Sequence, residues 1–294
     1  MCFRSPYGSS SGGDMRMIIN ANRRMDHTVV RGRVGDHNDL AMSGAEAMGR
    51  ALATAVGISP IVLGAPESAL NAGWAVELDA AMPLLRDVQR RFEEVLSRGA
   101  VSIAAVNRCA VALATLPTVL RTRPDACIVW LDAHADLNTP ETSTTGYLGG
   151  LALSGPMGLW TSGLGAGLAL DQVVLVGVRD VDPPEADLIA RHGIPVVLAD
   201  HGGDAFGDEL RAAIAGRPVY VHLDCDVLHP GIVPTDYQVA GGMTLAALRV
   251  AASVIAEVEL IGLEVAEFQV AWGAGGAPVP PDPVVGALGP ILRR

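Results

Sequence analysis

Residues 127–136 read CIVWLDAHAD. The apolar run, β-branched in part, is the length of a buried strand, and it ends in Asp132, His134 and Asp136. A spacing of two puts those three side chains on one side of extended chain. Carboxylates buried without a partner are costly, so three metal-competent groups at one strand end ask for a cation. Residues 218–226, PVYVHLDCD, repeat the pattern: an apolar strand closes in Asp224 and Asp226, with Cys225 directed the other way. Five oxygen or nitrogen donors suffice for two hard divalent ions sharing carboxylates, and an oxygen-rich set with one imidazole suits manganese best. Such an ion pair brings the pKa of a shared water toward neutrality and makes it a nucleophile.

Working outward, similar apolar runs occur at 59–63, 101–106, 172–178, 195–198 and 259–266. Amphipathic stretches of helical length lie between most of them, as at 78–97, 208–215 and 245–257. Alternating strand and helix patterns specify an α/β fold, a mostly parallel sheet with helices on both faces. No repeat or linker interrupts it, so residues 28–294 read as one domain. Residues 1–27 are rich in Ser, Gly and Arg without hydrophobic period and read as a disordered leader. His27, His37 and His201 stand in polar stretches and receive no role.

The 294 residues are 50% hydrophobic and 18% charged, with a formal net charge of −11. An acidic chain lacks the basic footprint that nucleic acid or an anionic membrane requires, and it suits cationic ligands. No apolar run reaches the ~18 residues of a membrane span. The four cysteines, Cys2, Cys109, Cys127 and Cys225, form no CxxC pair, which fits a reducing compartment; a cytoplasmic protein is expected.

DAHAD followed by LNTPETSTTGYLGG, and later DCDVLHPG, resembles the arginase/ureohydrolase family, which includes arginase, agmatinase, guanidinobutyrase and formiminoglutamase. The resemblance runs from about Val29 to the C-terminus. It implies a three-layer α/β/α fold around an eight-stranded parallel sheet and a centre of two Mn²⁺. It also implies that Asp132 and Asp224 bridge the metals, Asp136 completes the first metal's shell, and His134 and Asp226 complete the second's. One position departs. The family's Gly-Gly-Asp-His-Ser is here Val106-Asn107-Arg108-Cys109-Ala110, so Cys109 falls on the histidine ligand and Arg108 on an acid. A thiolate is a softer partner for manganese, which implies a weakened or metal-selective first site; Asn107 is the lesser candidate.

On the substrate side the resemblance assigns Glu267 to the guanidinium, with Glu264 as a second candidate in the same run. Asp182 and Glu185 match residues that hold an α-amino group, and Asn138 and Thr145 match those for an α-carboxylate. An L-amino-acid head group is therefore implied. Asp182 and Glu185 are also well placed to cap a helix beginning at Pro183. Gly149 replaces a histidine that passes protons to the leaving amine, which implies slower proton transfer and extra volume beside the guanidino group. Tyr147 becomes the candidate donor, and Asp136 the group that orients the nucleophile. Cys109 and Gly149 together make the chain similar to the Nω-hydroxy-L-arginine hydrolases of antibiotic pathways. The expected reaction is release of L-ornithine with hydroxyurea or urea. Two other classes stay open: a degenerate homologue acting as scaffold or sensor, and a hydrolase of another C–N bond such as a formimino group or amide. The family's habit of trimers or hexamers implies a homo-oligomer. His229, before Pro230, is expected to orient its loop.

Overall fold

The computed structural model describes residues 24–199 and 203–293. Among these, eight strands follow in chain order: β1 (Met25–Val30), β2 (Ile61–Leu63), β3 (Val101–Val106), β4 (Cys127–Leu131), β5 (Val173–Val176), β6 (Val196–Val197), β7 (Val219–Asp224) and β8 (Leu260–Ala266). They form one sheet in the order β2-β1-β3-β8-β7-β4-β5-β6, with every pairing parallel. Parallel neighbours need long crossovers. Helices α1 (Leu40–Val56), α2 (Trp74–Ser97), α3 (Ala112–Thr122), α4 (Pro183–His192), α5 (Gly203–Ile214) and α6 (Leu245–Ile255) lie in those crossovers, and α7 (Asp282–Ala287) and α8 (Gly289–Leu292) close the chain.

Strand residues alternate between two cores, as the two-residue period of a strand requires. Val29, Ile103, Val129 and Leu263 pack with Met48 and Leu52 of α1, Phe206 of α5 and Leu248 of α6. Their neighbours Val30, Ala104 and Ile128 pack on the opposite face with Leu85 and Phe92 of α2 and Leu113 of α3. Helices on both sides of one sheet make the three-layer architecture that the motifs imply. Among the described residues, no helix is long and apolar enough to cross a membrane.

One strand has no counterpart among the apolar runs. β1 opens with Met25, Asp26 and His27, three residues inside the stretch expected as leader; residues 1–23 of that stretch lie outside the described residues. The strand was hidden because its polar side chains are buried against partners rather than apolar neighbours. Buried Arg91 of α2 bonds Asp26 and reaches Thr28 Oγ1 at 3.3 Å, while Arg98 bonds Asp26 at 3.0 Å. His27 is buried rather than in a loop, with Nδ1 on the Ile58 carbonyl. His201 lies outside the described residues.

The strand order places the site. β3 and β4 are consecutive in sequence but separated in the sheet by β8 and β7, so winding reverses between them. The crevice at such a reversal, beyond the carboxyl ends of the strands, is where ligands bind in open α/β sheets. Here it gathers the residues after β3, β4, β7 and β8.

Helix α1 holds one wall of that crevice by close approach. A Cβ on Gly44 would stand 1.7 Å from the Phe268 carbonyl oxygen, in the turn that carries Glu267. Gly44→Ala is therefore expected to lower stability by about 1–3 kcal/mol through overpacking, read as a fall in Tm. An unchanged Tm would show that α1 does not fix this wall.

Candidate active site

The metal-competent residues arrive through turns rather than through continued strands. β4 stops at Leu131, and buried Asp132 accepts the Trp130 indole N–H at 3.0 Å and the His134 backbone N–H at 2.7 Å. Asp136 then takes a left-handed backbone, φ 52°. β7 ends at Asp224, whose carboxylate accepts the Asp226 N–H at 2.7 Å and caps a 3₁₀ turn over Cys225–Val227. The paired acids thus share a side because these turns fold back, not because extended chain alternates. Cys225 is buried in the core, as its opposite direction requires.

Two strands' acids meet. The ligand atoms of Asp132, His134 and Asp226 lie within 4.8 Å of one another, as do those of Cys109, Asp224 and Glu267. Cys109 Sγ sits 3.0 Å from Asp224 Oδ2, so the residue at the family's histidine position does reach the cluster. A third set within the same limit is Cys109, Asp132 and His222. Asp136 belongs to none of these sets but lines the same cleft. Asn107 faces away, donating to Asp36 at 2.8 Å.

Electrostatics show what the cluster lacks. Burial, reinforced by Asp226, pushes the Asp132 carboxyl up to about 6. Burial and then the neighbouring acids raise Asp136 and Asp224 well above the carboxylate range. Burial also raises the Cys109 thiol, with Asp224 adding to it. Burial opposes charge on His134, but Asp132 and Asp226 outweigh it and hold the imidazole strongly basic. Four buried carboxylates around one imidazole and one thiol form a donor set that fits two divalent cations, which would remove the mutual repulsion.

The cleft continues past the acids to Asn138, Thr145, Asp180, Asp182, Glu185 and Tyr237. Asp182 and Glu185 form a capping box at α4: Glu185 accepts the Asp182 N–H at 2.9 Å and the Leu137 N–H at 2.8 Å. Asn138 donates to Asp182 at 2.8 Å and accepts from Thr142 at 2.9 Å. The cap and the cleft wall are thus the same residues, which fixes their positions before any ligand arrives. Thr145 stands at the exposed rim and bonds the Tyr147 N–H at 3.2 Å.

Two expectations are corrected. The space beside Gly149 is not free, because a Cβ there would meet the Tyr147 ring at 2.3 Å. Tyr147 folds across the glycine and points its hydroxyl at Glu267 Oε1, 3.4 Å away. Burial, then Glu267, raises this phenol, so it stays protonated and can donate. Glu264 is not in the cleft; it is buried below it, bonded to His222 at 2.7 Å and to the Tyr220 hydroxyl at 2.7 Å. His229 is exposed and bonds the Pro230 carbonyl within its own loop.

Arg108 is the largest surprise of the site. It is fully buried and holds Asp36 at 2.9 Å, Asp236 at 2.9 Å and Glu267 at 2.8 Å. Glu267, itself left-handed at φ 62°, also accepts the Cys109 N–H at 2.9 Å. Burial lifts its carboxyl to about 7, against the pull of Arg108. Oε1 accepts from the Cys109 N–H and the Tyr147 hydroxyl and Oε2 from Arg108, which leaves one lone pair, on Oε2.

In the metal-free chain the raised acids favour low pH. A carboxyl whose folded pKa exceeds its unfolded value binds more protons folded than unfolded, so its stabilisation is complete below about 4 and is lost as pH rises through the folded value. With Asp132 at about 6 and Glu267 at about 7, metal-free protein is expected to lose Tm between pH 5 and 7.5. Divalent cations are expected to restore it most at the upper end, by about 2.7 kcal/mol at a hundredfold excess over Kd. Calorimetry with and without chelator checks this; equal cation effects at both pH values would contradict it.

With this geometry established, comparison with known proteins is direct. A family model described as "Arginase family" matches residues 16–275. The chain is 41% identical over 244 residues to an Nω-hydroxy-L-arginine amidinohydrolase of Streptomyces lavendulae, covering 83% of this chain and 88% of that protein. It is 28% identical over 208 residues to an arginase of Glaciozyma antarctica, covering 64% and 60%. The solved arginase of Bacillus caldovelox superposes with a TM-score of 0.80 at 22% identity, covering 92% of this chain and 99% of that one. Proclavaminate amidino hydrolase of Streptomyces clavuligerus gives 0.69 at 20% identity, covering 92% and 93%. The crossed α/β sheet, the paired acids and these matches agree: the chain belongs to the arginase family.

Proposed function

We propose that the protein hydrolyses the bond between the guanidino carbon and the side-chain δ-nitrogen of Nω-hydroxy-L-arginine at a two-manganese centre, giving L-ornithine and hydroxyurea. The observation that carries this is the engagement of Glu267. The acid placed to receive the substrate's guanidine is already paired with the Arg108 guanidinium at 2.8 Å. Its charge is largely spent, which weakens its hold on a guanidinium cation such as that of arginine. A hydroxylated guanidine is less basic and arrives more readily as a neutral hydrogen-bond donor, which the remaining lone pair on Glu267 Oε2 can accept. The 41% identity to a relative of that name supports the same reading.

Metal ions bound by Asp132, His134, Asp136, Asp224, Asp226 and Cys109 would supply an activated water and polarise the guanidino carbon. The protein's own residues do the rest. Glu267 fixes the plane of the guanidine, and Asp136 orients the incoming water. Water oxygen bonds to the guanidino carbon, the bond from that carbon to the ornithine δ-nitrogen breaks, and the nitrogen leaves with a proton. Tyr147 is the donor within reach, its hydroxyl held over the guanidine site by Glu267. Asp182 and Glu185 face the α-amino group, and Asn138 and Thr145 the α-carboxylate. The protein works as a cytoplasmic enzyme.

Ornithine release by manganese-loaded protein is expected from Nω-hydroxy-L-arginine at a kcat/KM at least tenfold above that for L-arginine, with no putrescine released from agmatine. Asp136→Asn should lower kcat by about 10²–10⁴-fold with little change in KM. Preference for arginine would reject the hydroxyguanidine reading. Absence of ornithine from every substrate would leave a non-catalytic scaffold as the better account.

A further inference from the structure

Replacing the family's histidine by Cys109 leaves the first metal without an imidazole from β3, yet an imidazole stands at that place from another strand. His222 lies on β7 two residues before Asp224, so both project to the same side of the sheet. It is fully buried, and its Nε2 is 3.1 Å from Cys109 Sγ. Its ring stacks on Trp130 of β4 with centroids 3.6 Å apart and planes 5° from parallel. Its Nδ1 is 2.7 Å from Glu264, directly opposite on β8, whose other oxygen accepts the Tyr220 hydroxyl. Nδ1 therefore faces a carboxylate that accepts from it, and Nε2 faces the thiol.

We propose that His222 is a ligand of the first metal, forming with Cys109 and Asp132 a site of one nitrogen, one sulfur and one oxygen. This rests on the two-metal reading above and names a ligand outside the set that the resemblance assigns. Three features carry it. The three ligand atoms lie within 4.8 Å of one another; donors on one tetrahedral ion with Zn–N and Zn–S bonds stand roughly 3.4–3.8 Å apart. The carboxylate behind His222 is the arrangement that orients ligating imidazoles. Stacking on Trp130 holds the ring plane, so the direction in which Nε2 points is set before metal arrives. A site of this composition holds manganese, but less tightly than a borderline ion such as zinc or cobalt, whereas Asp132, His134 and Asp226 remain a harder site. The two metal positions are therefore chemically unequal.

The test is cobalt titration of the full, metal-free chain, read by absorption, metal analysis and proton NMR. Wild type is expected to bind two ions, with a thiolate-to-cobalt charge-transfer band for the first. A strongly shifted imidazole N–H should exchange slowly with solvent, because Glu264 buries it. His222→Gln is expected to weaken the band-forming site by more than a hundredfold while one ion still binds at the other. Glu264→Gln should weaken it by about 10–100-fold, as loss of a carboxylate behind a ligand does. A His222→Gln protein with the wild-type band and affinity would overturn the proposal, and so would wild type lacking the slowly exchanging N–H. The wild-type spectrum decides the matter even if the variant does not fold. Two ions bound without His222 would defeat this inference alone; no ion bound would defeat the two-metal reading as well.

Discussion

Like charge gathered in a dry place is the constraint on which this structure turns. Asp132, Asp136, Asp224 and Asp226 are all buried, and they come from only two strand ends. Nothing in the fold pulls them together; the sheet does so only because β4 and β7 are neighbours in register, Leu131 opposite Leu223. The backbone contributes what it can through the N–H groups of Ala133, His134 and Asp226. Hydrogen bonds of this kind offset part of the desolvation of a carboxylate but leave its charge in place. A cluster built this way has a folding cost that a cation removes, so affinity for metal and stability of the fold are one quantity.

The same sheet handles the opposite end of the cleft by another means. There Asp36, Asp236 and Glu267 surround an internal cation, Arg108, where the family pattern has an acid. Exchanging an acid for an arginine changes the local charge by two. The three acids that would otherwise repel one another become a fixed cage, and Glu267 has much of its charge offset. One substitution thus stabilises a wall and retunes what that wall attracts. Burying Arg108 is tolerable only because its fork is held by three carboxylates; its remaining nitrogen NH2 has no hydrogen-bond partner.

The layout of the sheet was legible in the sequence because apolar runs and amphipathic stretches report burial directly. Seven runs at 59–63 through 259–266 each coincide with a strand. β1 was missed because its burial is polar, through Asp26 and His27. The paired acids were legible because carboxylates after apolar runs have no cheap structural explanation. Arg108 and His222 were not. A lone arginine or histidine beside a strand reads as surface, and its meaning depends on which distant groups meet it: Asp36 and Glu267 lie 72 and 159 residues from Arg108, and Glu264 lies 42 from His222. Spacing of two from Asp224 was the one local signal for His222. The volume inferred at Gly149 failed for a related reason, since a missing side chain says nothing about which neighbour moves into its place.

Backbone strain marks where the fold is bent to serve the site. Among the described residues, four that are not glycine have positive φ, and two of these are Asp136 and Glu267. A left-handed glutamate costs about 1–3 kcal/mol, so its surroundings must over-determine it. They do: the Glu267 N–H donates to the Asn107 carbonyl, its side chain is held by Arg108 and the Cys109 N–H, and α1 presses on the next residue at Gly44. Asp136 is held at its carbonyl by the N–H groups of Leu153 and Ser154. Both residues line the same cleft. The rigid sheet supplies the acids, and strained turns, paid for by packing behind them, set the angle at which Asp136 and Glu267 enter the cleft.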